Sequence, residues 1–137
     1  MRVEDQIISV ARTPGAAATI LVVEDEPMLR LAVSKSLRKN GFTVMEAADG
    51  FAALDRVRDR SQDIDLILMD LMISGSSVSE VAAEARRFRP GMKLILTSAY
   101  DREMAPTSID AINATAFIRK PFHLHELTRL LVRTLAL

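Results

Sequence analysis

Cysteine is absent from this 137-residue chain, which excludes a disulfide framework, thiolate catalysis and cysteine-ligated zinc and leaves the redox compartment undecided. An excess of either charge is absent as well. Lys plus Arg and Asp plus Glu stand at 18 each, so no overall basic field draws nucleic acid or an anionic membrane. Long apolar runs are also missing: the longest stretch away from charge, residues 13–23, contains Pro14 and Gly15 and is too short to span a bilayer. Glu4 and Asp5 stand where a signal peptide would need an apolar segment. The expectation is a cytoplasmic protein with no direct nucleic-acid contact and no direct membrane insertion. At 49% hydrophobic and 26% charged, the chain is long enough for one well-buried core and too short for two ordinary domains.

What is present is an alternation of apolar, strand-length runs with helix-like stretches. Residues 19–23, 42–46, 64–69, 92–97 and 115–119 read as strands, rich in Ile, Leu, Val or Phe and bounded by Gly, Asp, Asn or Pro. The first, third and fourth are continuously apolar, as central strands buried on both faces should be. Residues 27–39 open with a proline suited to a first helical turn and stop at Asn40-Gly41. Residues 49–58 start with an N-cap acid, 76–88 with a serine and 121–135 with a proline. In that last segment Leu124, Leu127 and Leu131 share one face. A further helix within 101–112 is the weakest because Pro106 interrupts it.

The order is (βα)₅, which implies right-handed crossovers and a doubly wound α/β fold: a parallel five-stranded sheet of order 2-1-3-4-5 between two helical layers, flavodoxin-like or CheY-like. Residues 19–137 form this domain. Residues 1–18 form an N-terminal extension in which Gly15-Ala16-Ala17-Ala18 reads as a linker and 3–10 as a frayed helix or strand.

Three charged pieces fall directly beyond apolar runs: Glu24-Asp25-Glu26, Asp70 and Lys120-Pro121. In a parallel sheet, ligands bind beyond the carboxyl ends of the strands, so three acids and a lysine would meet at one edge. That set of groups suits a magnesium ion and a phosphoryl group.

Four segments resemble, in order and spacing, the receiver domains of bacterial two-component response regulators, the CheY-like superfamily. They are Ile20-Leu21-Val22-Val23-Glu24-Asp25-Glu26-Pro27, Asp65-Leu66-Ile67-Leu68-Met69-Asp70-Leu71-Met72, Leu94-Ile95-Leu96-Thr97-Ser98-Ala99 and Phe117-Ile118-Arg119-Lys120-Pro121-Phe122. The resemblance covers about residues 19–137. It implies a domain that takes a phosphoryl group from a histidine kinase onto one aspartate with Mg²⁺, a phosphoacceptor with self-catalysed transfer and autodephosphorylation rather than a conventional enzyme.

Carried over residue by residue, Asp70 is the acceptor, because it ends the central third strand and a carboxylate can be the nucleophile in phosphoryl transfer. Its plainer role is to cap the following loop. Glu24 and Asp25 supply further hard oxygen ligands to Mg²⁺, and Met72 its backbone carbonyl. The family mostly has aspartate at the position of Glu24, so the longer side chain would bind through water. The plainer reading of Glu24 to Glu26 is an acidic start to the helix at Pro27, which is mainly the part of Glu26. Mutual repulsion should raise the pKa of at least one of the three acids in the absence of metal.

Lys120 would pair with Asp70 at rest and with a phosphoryl oxygen after transfer; alternatively it is a surface lysine before a helix. The family often has this Lys-Pro bond cis. Thr97 offers a hydroxyl to the phosphoryl group or is simply a β-branched strand residue. Phe117 stands at the position of a switching aromatic, with a buried strand phenylalanine as the equal alternative.

Departures from the family pattern are Ser74 and Val78, where proline and glycine are usual, which suggests a more mobile or differently shaped loop after the third strand. Gly75 still permits a turn, and Asn113 replaces a glycine while tolerating a left-handed backbone. His123 and His125 read as solvated, the methionines as core filling, and Arg86, Arg87 and Arg89 as cations suited to a helix C-terminus. The expected partners are a histidine kinase or histidine phosphotransfer protein, with the domain a monomer or weak dimer. Output is expected through protein contacts or phosphoryl relay, since no DNA-binding or catalytic segment follows the last helix. Tyr100-Asp101 and the Pro106-broken helix resemble receivers of hybrid sensor kinases. The alternative is a pseudo-receiver, a binding module that works without phosphorylation; a flavodoxin-like cofactor binder is disfavoured because the first loop is acidic and lacks a glycine cluster.

Overall fold

The side chains of the central strands alternate between two separate apolar layers, and this alternation organises the molecule. The structure, a computed structural model, describes residues 17–99 and 112–137. Five strands, β1 (Thr19–Val23), β2 (Thr43–Ala47), β3 (Leu66–Asp70), β4 (Lys93–Ser98) and β5 (Ala116–Arg119), pair throughout in parallel in the order β2-β1-β3-β4-β5. The expected sheet order is therefore observed.

On one face, Leu21, Val23, Ile67, Met69, Leu94 and Leu96 pack under helices α2 (Gly50–Arg58) and α3 (Val78–Phe88), through Ala53, Val57, Val81 and Ala85. On the other, Ile20, Val22, Leu66, Leu68 and Ile95 pack under α1 (Pro27–Lys39) and α4 (Leu124–Leu135), through Val33, Leu37, Leu127 and Leu131. A side-chain period of two on strands covered from both sides requires apolar residues in succession, which β1 carries at 20–23, β3 at 66–69 and β4 at 94–96.

The helices begin where local chemistry satisfies their free N–H groups. The Glu26 carboxylate caps α1, accepting from the amides of Met28 at 3.0 Å and Leu29 at 2.8 Å, one residue before Pro27. Asp49 caps α2 through the amide of Ala52. α3 starts one residue later than its first serine suggests, because Ser77 rather than Ser76 forms a reciprocal capping box with Glu80. α4 does not start at Pro121. Phe122 packs against the α1/α4 layer, and the helix opens only after His123, whose amide donates to Glu126.

Asn113 does adopt positive φ, at 60°. The expected N-terminal extension as far as residue 16, and residues 100–111 with Tyr100, Asp101 and Pro106, lie outside the described residues. Among the described residues no helix is long and apolar enough to cross a membrane.

Candidate functional site

The parallel sheet ends on a polar edge. β1 leads directly into Glu24 and Asp25, Asp70 is the last residue of β3 and lies opposite Thr97 of β4, and Lys120 follows β5. Glu24, Asp70 and Thr97 are buried, at 5%, 6% and 4% exposure, while Asp25 is open to solvent. Carboxylate oxygens of Glu24, Asp25 and Asp70 all lie within 4.8 Å of one another. The Lys120 Nζ bridges two of them, 2.7 Å from Glu24 Oε1 and 2.6 Å from Asp70 Oδ2. The Lys120 amide donates to the Ser98 carbonyl at 2.7 Å, and its peptide to Pro121 is cis.

Burial and pairing oppose each other in this cluster. Burial disfavours a charged Glu24 more than the hydrogen bonds from Lys120 and from the Glu26 amide favour it, so its pKa lies above the usual glutamate value. An acid with a raised pKa is therefore present, but repulsion from Asp70 is the smallest of the causes and desolvation the largest. For Lys120, burial would lower the pKa; its hydrogen bonds to Asp70 and Glu24, with their negative charge, outweigh that and raise it. The longer glutamate side chain at position 24 thus reaches Lys120 directly.

Each acidic segment is also bound from behind. The Glu24 amide donates to Ala47 of β2 at 3.1 Å, and its carbonyl accepts from Arg30 Nη1 at 2.8 Å. Its carboxylate accepts from the Glu26 amide at 3.1 Å. Asp70 caps its own loop, Oδ1 accepting from the Met72 amide at 3.0 Å, while Oδ2 faces Lys120. The plainer, capping reading of Asp70 is thus observed, and its second oxygen is left to Lys120.

The loop after β3 is anchored despite Ser74 and Val78. The Gly50 amide donates to the Ser74 carbonyl at 2.8 Å, Ser76 and Val78 are buried, and Gly75 turns at φ 82°. Val78 fills the α2/α3 layer. At Gly50 a Cβ would sit 2.0 Å from the Ser76 carbonyl oxygen, so the close approach of this loop to α2 depends on glycine.

Phe117 is half-buried against the α2/α3 layer. His123 and His125 are exposed. Sequence reasoning missed Arg30, and it assigned Arg86 and Arg89 to the helix dipole alone. Arg86 donates to the carbonyls of Ile112 and Asn113 at the entry to β5, and Arg89 to those of Val57 and Asp59 at the end of α2. A guanidinium with several donors does this where a dipole argument alone would accept any cation.

The model of the response regulator receiver domain family matches residues 20–132, and the chain belongs to that family. Among curated relatives, sensor kinase CckA of Brucella abortus is 30% identical over 82% of this chain, and the probable transcriptional regulatory protein TcrX of Mycobacterium tuberculosis is 32% identical over 84%. The chain spans 12% and 48% of those proteins, so it corresponds to one part of each. Among solved structures, response regulator protein TrrA from Thermotoga maritima, in complex with Mg²⁺-BeF, is similar with a TM-score of 0.71 and 32% identity, over 85% of this chain and 98% of that one. The donor set here fits such an ion: Mg²⁺ takes hard oxygen ligands and is bound through one or two carboxylates plus waters, and three carboxylates converge within 4.8 Å.

Proposed function

We propose that this receiver domain accepts a phosphoryl group onto Asp70 from the phosphohistidine of a histidine kinase or histidine phosphotransfer protein, in a Mg²⁺-dependent reaction. The observation that carries the reading is the Asp70 carboxylate, at the end of the central strand with one oxygen 2.6 Å from the Lys120 ammonium, inside the cluster of three acids.

Glu24, Asp25, Asp70 and the Met72 backbone carbonyl would hold Mg²⁺, which when bound supplies positive charge against the phosphoryl oxygens. A carboxylate oxygen of Asp70 attacks phosphorus, the P–N bond breaks with its electron pair going to the imidazole, and an acyl phosphate forms. Lys120, already paired with Asp70, follows the negative charge onto a phosphoryl oxygen, and the Thr97 hydroxyl donates to another. Attack of water on phosphorus later returns the carboxylate and inorganic phosphate.

The Brucella relative, a sensor kinase, supports reading the chain as a domain that passes its phosphoryl group onward, as in hybrid kinases. Phe117 is the candidate for reporting phosphorylation to the rest of the molecule.

Intact mass after treatment with acetyl phosphate and Mg²⁺ tests the core of this reading. One added phosphoryl group on the wild type and none on Asp70→Asn are expected. A wild type left unmodified under conditions that label an ordinary receiver would instead favour the pseudo-receiver, a binding module independent of phosphorylation.

A further inference from the structure

Arg30 sits in the opening turns of α1, where a positive charge works against the helix dipole. Its guanidinium makes two contacts. Nη1 donates to the Glu24 backbone carbonyl at 2.8 Å, and Nε lies 3.4 Å from Glu46 Oε1 on β2. Glu46 is held in turn by Arg38, 3.3 Å from its other oxygen, and Arg38 also donates to the Val44 carbonyl at 3.1 Å. This network stands behind the acidic cluster; its contact with the Glu24-Asp25 turn is through the main chain.

The carbonyl that Arg30 grips belongs to the planar peptide joining Glu24 to Asp25. With the Glu24 amide already bound to Ala47, fixing this oxygen fixes the direction in which the chain enters Asp25. Asp25 is the exposed member of the three acids, and its aim depends on its backbone.

We propose that Arg30 is a positioning residue for cation binding: its hydrogen bond to the Glu24 carbonyl holds the turn so that the Asp25 carboxylate converges with those of Glu24 and Asp70. The proposal rests on the reading of the cluster as a Mg²⁺ site. The competing account is an ordinary ion pair that ties α1 to β2, and the two accounts assign the work to different contacts of the same guanidinium.

Two variants separate them. R30M keeps most of the aliphatic stem and loses both contacts, whereas E46Q weakens the ion pair and leaves the carbonyl hydrogen bond. Mg²⁺ titration by calorimetry should show binding about tenfold weaker in R30M, the size of effect known for residues that orient metal ligands. E46Q should stay within about twofold of wild type, as for a site energetically separate from the metal. R30K, which restores a donor, should recover part of the loss. Amide NMR of the metal-free protein gives a second readout: the Asp25 amide should shift in R30M and stay in place in E46Q. Unchanged Mg²⁺ affinity in R30M, or equal weakening in E46Q, would overturn the proposal in favour of the plain ion pair. Should wild type bind no Mg²⁺ at all, the reading of the site as a metal centre fails, and the Asp25 amide shift alone decides whether Arg30 positions the turn.

Discussion

Gly50→Ala is the most informative single perturbation, because its outcome can be worked from contacts. An added Cβ would lie 2.0 Å from the carbonyl oxygen of Ser76 and 2.7 and 2.8 Å from its nitrogen and carbonyl carbon. All three are main-chain atoms, so no rotamer relieves the clash. Carbon contacts become favourable only near 3.5 Å, and the loop after β3 must retreat by roughly 1.5 Å. That retreat gives up the Gly50 to Ser74 hydrogen bond, at a cost of about 1 kcal/mol. Overpacking adds about 2 kcal/mol. A loss of about 3 kcal/mol is expected, or roughly 12 °C at about 4 °C per kcal/mol for a domain of this size.

Gly91→Ala is the internal control: nothing lies within 4 Å of its added Cβ, so its melting temperature should equal or slightly exceed that of wild type. Urea and thermal unfolding of the three proteins measure these differences. Since the displaced loop carries Met72, Mg²⁺ should also stabilise G50A less than wild type. A G50A protein that melts within about 2 °C of wild type, which corresponds to under 1 kcal/mol, would refute the contact argument and leave the loop free to move at little cost.

Two further outcomes follow from burial. The pKa of Glu24 is raised in the folded state, so the folded protein takes up that proton before the unfolded chain does, and the stabilisation it brings is complete below the unfolded value of 4.5 and lost as pH rises through the folded value. The stability of wild type relative to Glu24→Gln should therefore increase as pH falls from 7 towards 4.5, measured by urea midpoints; a flat or opposite trend contradicts the dominance of desolvation. Ser34 is fully buried in α1 and its Oγ has no hydrogen-bond partner among the described residues, so Ser34→Ala should raise stability by about 1 kcal/mol, and a loss of that size would show that the hydroxyl is satisfied in solution.

Much of this architecture is legible in the sequence because its cues are local. Thr19–Val23 and Pro27–Lys39 are found at their expected bounds, since acids close the strand and proline and Asn40-Gly41 delimit the helix. The Ser77 cap was also legible in principle: two serines adjoin, and only the second has glutamate three residues on. Pro121 misled for a physical reason, because a proline before an amphipathic stretch suits a first helical turn as well as it suits the connection that brings Phe122 onto the core.

The convergence of Glu24, Asp25, Asp70 and Lys120 could be anticipated, because a parallel sheet brings the carboxyl ends of its strands together. What could not be read is whatever depends on contacts between elements. The grip of Arg30 on Glu24 and Glu46 needs the β1–β2 pairing, and the weight of burial over repulsion at Glu24 needs the depth of its side chain.

Glu24 and Lys120 touch across 96 positions of sequence, and Asp70 meets the same ammonium across 50. A contact with that separation closes late, after the entropy of the intervening chain has been spent on strand pairing. The cluster is therefore a read-out of completed folding. A nascent chain that has made β1 to β3 holds its three acids but lacks the lysine, and a chain that loses its last strand loses the cation that offsets their repulsion. The ammonium that offsets these carboxylates arrives with the final element of the sheet, so a half-built domain exposes strand edges and leaves its acids without their counter-charge.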